Sequence, residues 1–368
     1  MSNLLRADTI GSLLRPDYLL RARARFEQGD LAPADYKRVE DRAVDSSIAM
    51  QEGAGLDVVS DGELRRHTFI DQLLEAVEGL TPDPESDHIP VPFRDETGDV
   101  QSVFKVPMSV TDKLRRRRMM TTEEYAYARA VARRPVKVTL PSPLMLFLAW
   151  SPERSRPAYE DAFELFADGL ALMREEAQEL ARMGCTYIQV DAPDFGQLVD
   201  PSQQEVWAAA GIPVERVLSE GVDMLNELAT VPGVTFGLHL CKGNYDSQWI
   251  SAGGYESLSK HLFPRVTNYQ RLLLEYENPR SGSFEPLKGV PDDKVVVLGL
   301  ISSKFDDMET PEALLARIDE AAGFYPRDQL AISTQCGFSS AGPGNAISEA
   351  AQARKLQLVA EVAQRAWG

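Results

Sequence analysis

The 368 residues are 43 % hydrophobic and 26 % charged, enough apolar content for one large folded domain or two ordinary ones and too much for a mainly disordered chain. Against 39 basic residues stand 56 acidic ones, a net charge of −17 that argues against a general polyanion-binding surface and so against nucleic acid as a partner. No apolar run approaches the ~20 residues of a membrane span, the start MSNLLRADTIGS lacks a secretory layout, and three scattered cysteines, Cys185, Cys241 and Cys336, suit a reduced, cytoplasmic setting.

Runs of β-branched and apolar residues bounded by turn signals predict strands at 4–10, 56–60, 136–140, 186–191, 234–241, 272–276, 294–300 and 329–334. Between them, 3.6-residue periodicity predicts helices at 33–52, 159–183, 214–228, 254–263, 311–324 and 346–367. In the second of these, most of Phe163, Phe166, Leu170, Leu172 and Met173 fall on one apolar stripe that can pack on a sheet. Eight strands alternating with helices predict a parallel α/β fold, expected to close into a (β/α)8 barrel, with an open doubly wound sheet as the competing architecture. Residues 81–134 break the rhythm with Thr81-Pro82-Asp83-Pro84, four consecutive arginines at 115–118 and a helix from Thr122, and read as an insertion after strand two. The arginine run reads as a solvated helix face balanced by Glu123 and Glu124. No repeat or flexible linker divides the chain, so residues 1–368 are expected to form one domain.

The segment Gly237-Leu238-His239-Leu240-Cys241-Lys242-Gly243-Asn244 ends a predicted strand with His239 and Cys241 two positions apart, hence on one side. Cys336 follows another predicted strand, in Gln335-Cys336-Gly337-Phe338. In a barrel both strand ends open at the same C-terminal mouth. One imidazole and two thiolates suit zinc, whose catalytic sites keep three protein ligands and an exchangeable position. The plain alternative is a buried cysteine beside a packed histidine. Glu275 and Glu277, in Leu273-Leu274-Glu275-Tyr276-Glu277, alternate onto one face, and either can supply a carboxylate as fourth ligand; a surface pair with Arg280 is the competing reading.

Thr9-Ile10-Gly11-Ser12, Asp61-Gly62-Glu63, Ile188-Gln189-Val190-Asp191-Ala192-Pro193, His239-Leu240-Cys241 and Gln335-Cys336-Gly337 occur in one order along the chain. Together they resemble the catalytic domain of cobalamin-independent methionine synthase, from near residue 6 to the end, and in particular its short single-barrel members. The resemblance implies a TIM barrel whose zinc activates a thiol for alkylation. His239, Cys241 and Cys336 match the zinc ligands, and Glu275 is preferred over Glu277 as the fourth. It further implies homocysteine as the thiol, its carboxylate at the turn of Ile10 and Ser12 and its ammonium at Glu63 and Asp191.

Residues 298–304 read Leu-Gly-Leu-Ile-Ser-Ser-Lys, where the long enzymes carry an Asp-Ile-His-Ser segment with a proton-donating histidine, and Ala192 replaces a second acid. The methyl or alkyl donor is therefore open between a folate, a methyl-corrinoid protein and other electrophiles. Relatives that open epoxides with coenzyme M supply a second reading, and a zinc-binding docking protein without catalysis a third.

Overall fold

Strands buried on both faces are mainly apolar, and six segments meet that demand, with Gln189, Asp191, His239, Arg271 and Glu275 as buried polar residues among them. In the computed structural model, which describes residues 4–85, 90–342 and 344–368, they are β5 (Val138–Pro141), β6 (Tyr187–Asp191), β7 (Thr235–Leu240), β8 (Arg271–Glu275), β9 (Val295–Ile301) and β10 (Leu330–Thr334). They lie side by side in chain order, every neighbouring pair parallel. A parallel connection needs a crossover, and several of these are helical: Ala162–Arg182 returns from β5 to β6, Pro311–Ala322 from β9 to β10. Asp161 caps the first of these by accepting from the Phe163 and Glu164 amides; Phe166, Leu170, Met173, Ala177 and Leu180 then bury its inner stripe.

The first two predicted strands are shorter than the periodicity suggests. They survive as single parallel bridges, Ala7 to Ile332 beside β10 and Val59 to Val136 beside β5. The Asp57 amide donates to the Ala7 carbonyl at 3.0 Å, and the Asp57 carboxylate accepts from the Arg6 and Ala7 amides. A side chain thus replaces part of the ladder between these segments, which is why apolar patterning alone overestimates their strand length.

The break in rhythm after the second position holds two antiparallel pairs and a helix. The pairs are β1 (Val77–Pro82) with β4 (Met108–Arg116), and β2 (Val91–Arg94) with β3 (Val100–Phe104); the helix is Thr122–Val131. It begins at Val77, before the proline-rich turn, and residues 86–89 of the expected insertion lie outside the described residues. The arginine run departs from its reading. It closes β4 instead of facing a helix, and its acids come from elsewhere: Arg116 meets Glu175 at 2.9 Å and Arg118 meets Glu75 at 2.8 Å. Glu124 turns inward to Arg66 at 2.8 Å. Distant acids are invisible to local charge patterning.

Candidate metal centre

Side chains at the carboxyl ends of parallel strands converge on one mouth. His239 is the penultimate residue of β7, Cys241 follows its end, Glu275 ends β8 and Cys336 lies two residues past β10. One ligand-type atom from each lies within 4.8 Å of the other three. All four are buried, from Glu275 at 1 % exposure to Cys241 at 8 %. The two sulfurs are 3.5 Å apart although 95 residues separate them in the chain. His239 Nδ1 lies 3.4 Å from the Leu273 carbonyl, while Nε2 is buried with no partner among the described residues. A proton on Nδ1 donated to that carbonyl leaves the Nε2 lone pair free, the arrangement that orients a metal-binding imidazole.

Glu275 rather than Glu277 joins the group. Its Oε1 accepts from the Lys242 amide at 3.0 Å, whereas Glu277 is held by Arg280 at 2.9 Å and by Asn278 at 2.9 Å. Glu275 thus lies in the cluster and Glu277 in an ion pair with Arg280, a pair that is buried and not at the surface, the Glu277 side chain being 2 % exposed.

Electrostatically the four groups act strongly on one another. Burial, with Glu277 and Cys336 nearby, lifts the Glu275 carboxyl to about 7. Its hydrogen bond to Cys241, aided by His239, holds the Cys336 thiol well below its ordinary range against the opposing pull of burial; the same bond and burial push Cys241 well above it. Burial alone would lower His239, but Cys336, Asp191 and Glu275 outweigh it and raise the imidazole to about 9. Two thiols and a carboxyl packed this closely can all ionise only beside a positive ion.

The remaining candidates line the same chamber: Ile10, Ser12, Glu63 and Asp191. Glu63 adopts a left-handed backbone, φ 55°, which a non-glycine residue rarely does without a reason. The Asp61 carboxylate accepts from its amide at 3.0 Å and stabilises that turn. Glu63 Oε1 accepts from the Thr139 hydroxyl at 2.7 Å, and Oε2 is buried without a partner among the described residues. Asp191 Oδ1 accepts from Gln189 Nε2 at 2.7 Å, and burial raises its carboxyl to about 7. Ser12 packs directly on Gly337, the residue after Cys336, and can do so because that residue is glycine: a Cβ there would lie 1.9 Å from Ser12 Oγ. Gly11 has the same role toward Glu63, whose Oε1 would be 2.6 Å from an added Cβ.

Sequence reading missed several contributors. Asn244 Nδ2 donates to the Gly337 carbonyl at 2.7 Å and so ties the Cys241 loop to the Cys336 loop; its place in the His-Leu-Cys-Lys-Gly-Asn run was the available signal. Thr139, Tyr245 and the apolar faces of β2 and β3 carried no local signal, since only the fold brings them to the mouth.

Beyond β6, Asp194 is fully buried, accepts from the Ser142 hydroxyl at 2.7 Å, and is raised by burial from 3.8 to about 7. Its contribution to stability is complete below pH 3.8, where the unfolded chain is also protonated, and is lost as pH rises through about 7. Asp194→Asn keeps an acceptor for Ser142 and removes the titration. Urea unfolding at pH 5 and pH 8 should therefore give a smaller drop for the variant than for the wild type; equal drops would contradict the assignment.

Fold and site together define an α/β protein whose parallel strands present a buried His-Cys-Glu-Cys group at their carboxyl ends. Residues 5–363 match the family model described as cobalamin-independent synthase, catalytic domain, and the chain belongs to that family. It is 32 % identical to the uncharacterized protein YxjH of Bacillus subtilis over 98 % of this chain and 94 % of that protein. It is also 32 % identical to 5-methyltetrahydropteroyltriglutamate–homocysteine methyltransferase of Trichodesmium erythraeum, over 90 % of this chain but 40 % of the longer enzyme. Among solved structures, a B12-independent methionine synthase from Shewanella in complex with selenomethionine superposes with a TM-score of 0.76 at 22 % identity, covering 98 % of this chain and 97 % of that one. A TIM-barrel-like α/β fold is thereby shared. No helix among the described residues is long and apolar enough to cross a membrane.

Proposed function

We propose that this chain is a cytoplasmic, zinc-dependent methyltransferase that methylates the sulfur of homocysteine, on a single closed (β/α)8 barrel with an insertion after its second strand. The observation that carries the reading is the chamber in which an orphaned imidazole nitrogen, two thiols and a carboxyl face Ser12, Glu63 and Asp191. His239, Cys241, Glu275 and Cys336 would hold the zinc; their hard and soft donors and their shared need of a cation fit it. Bound zinc would supply a substrate thiolate at neutral pH, since coordination removes a thiol proton that otherwise leaves only near pH ~8.5.

The chain's own residues bind and orient the amino acid. The Ser12 hydroxyl and the Ile10–Ser12 turn receive the carboxylate, while the free Oε2 of Glu63 and the Asp191 carboxylate receive the ammonium. Placing those acids beside the cluster fixes the distance from ammonium to sulfur, which is positional catalysis. In the displacement, the sulfur electron pair forms the new S–C bond while the carbon–leaving-group bond breaks and its pair departs with the leaving group. The thiol proton has by then gone to solvent.

Two buried carboxylates favour an ammonium-bearing thiol over the sulfonate of coenzyme M, and this separates the methyltransferase reading from the epoxide-opening one. Calorimetry on zinc-loaded protein should detect homocysteine, with Glu63→Gln and Asp191→Asn each weakening it about tenfold or more, the loss of one charge-assisted hydrogen bond. Tighter binding of coenzyme M, or affinity for homocysteine unchanged in both variants, would overturn the proposal. Methionine formed in the presence of a methyl donor, detected by mass spectrometry, excludes a docking protein without catalysis.

A further inference from the structure

The chamber above the cluster continues outward past Ser12, Glu63 and Asp191 to a wall of aromatic and aliphatic side chains. Its outer wall comes from the insertion. Strand alternation points Val91 and Phe93 of β2 to one side, and the register pairs Val91 with Phe104 and Phe93 with Ser102, so one face of the hairpin turns toward the mouth. The hairpin is stitched to the loop after β7 by a two-way backbone bridge between Arg94 and Trp249, at 2.7 and 2.9 Å, and by Ser102 Oγ donating to Gln248 at 2.7 Å. Phe93 and Phe104 then pack on Tyr245 with ring centroids 5.3 and 6.3 Å away.

The chemistry of this wall is one-sided. Phe69, Phe93, Phe104, Phe147 and Tyr245 contribute aromatic rings to the chamber, and Glu63 and Asp191 contribute carboxyls. Among the described residues, no lysine or arginine lines it. A polyanion entering such a space would meet no lysine or arginine and would be repelled by both acids. A cation with an apolar skin finds the reverse: ring faces carry negative potential, and aromatic enclosures select onium groups on that ground.

We infer that the aromatic chamber walled by the insertion hairpin binds an onium group, and that the methyl donor is a methylsulfonium-type cation rather than a glutamylated folate. The inference rests on the methyltransferase reading above. The chemistry balances without an added acid. The homocysteine sulfur gives its pair to the methyl carbon, the bond from that carbon to the sulfonium sulfur breaks, and its pair stays on the leaving sulfur, which departs as a neutral thioether needing no proton.

The test uses zinc-loaded protein and calorimetry with tetramethylammonium, an unreactive onium, against tert-butanol, a neutral molecule of similar size, and the triglutamate of 5-methyltetrahydrofolate. Tetramethylammonium is expected to bind at least tenfold more tightly than tert-butanol, a ratio within reach of desolvated cation–π contacts. Phe93→Leu and Phe104→Leu, which keep bulk and lose the ring, should each weaken it severalfold and leave homocysteine affinity unchanged. With homocysteine bound, trimethylsulfonium should yield methionine and dimethyl sulfide in equal amounts. Equal or tighter binding of tert-butanol, or binding and turnover of the folate without the onium, overturns the inference. Homocysteine titrated into the same samples keeps the two proposals apart: failure to bind it counts against the methyltransferase reading, whereas binding of homocysteine without the onium counts against the donor alone.

Discussion

Protein carrying Cys336→Ala is expected to emerge from purification with little zinc and no measurable methyl transfer. The sulfur of Cys336 is the group that links two distant parts of the chain at the centre, 3.5 Å from Cys241 and 95 residues from it. Its removal leaves three donors, one of them a glutamate already engaged by the Lys242 amide. Changes to groups that only support a metal ligand cost roughly 10–100-fold in affinity or activity, so loss of a ligand should exceed 100-fold in both. Elemental mass spectrometry gives the metal content, and the mass-spectrometric methionine assay gives turnover. Cys185→Ser is the control. That thiol donates to the Tyr187 carbonyl at 3.3 Å, far from the group, and is pushed up by burial to about 11, so its variant should keep the metal. A Cys336→Ala protein with full zinc and full turnover would remove the thiolate centre from the mechanism.

The largest effect on stability is expected at Asp8, beneath the site. Asp8 is fully buried, 2.8 Å from Lys137 Nζ, 3.2 Å from Arg271 and 2.9 Å from the Tyr187 hydroxyl. Lys137 also donates to Gln189 at 2.8 Å and to the Thr9 carbonyl. The network ties the first segment of the chain to Lys137, the residue before β5, and to β6 and β8, where its backbone ladder is reduced to one bridge. Burial opposes the charge on Asp8, but Lys137 and Arg271 prevail and hold its carboxyl below 3.8. Its contribution is therefore present above pH 3.8 and is lost as pH falls through the lower native value.

Asp8→Ala strands two buried cations, which costs about 3–5 kcal/mol in comparable cases. Urea unfolding at pH 7 should show that loss. Adding Lys137→Met to Asp8→Ala removes one of the stranded charges and should recover part of it. A single variant within ~1 kcal/mol of wild type would mean that water reaches the network.

How much of this was legible from residue order differs between elements for identifiable reasons. The six strands of the ladder lie within two residues of their sequence-based positions, because a strand buried on both faces admits almost only apolar side chains and turn residues bound it sharply. The segments at 4–10 and 56–60 look the same in composition, yet Asp57 takes over part of their pairing, and one carboxylate among apolar neighbours does not announce that. The arginines at 115–118 were misplaced onto a helix because their partners, Glu75 and Glu175, are brought near by packing and not by spacing.

At the site the division is similar. Period-two geometry puts His239 and Cys241 on one side, and also Glu275 and Glu277, but it sets a direction and no distance. Sequence by itself determined the parallel α/β class, the family and the kinds of donor atom at the strand ends. Only the tertiary structure decided that Cys336 meets Cys241, that Arg280 claims Glu277 and leaves Glu275 to the cluster, and that an insertion hairpin adds aromatic rings above it. Each of those outcomes depends on which strands are neighbours and on how loops return across the mouth, and these are long-range contacts that no local pattern encodes.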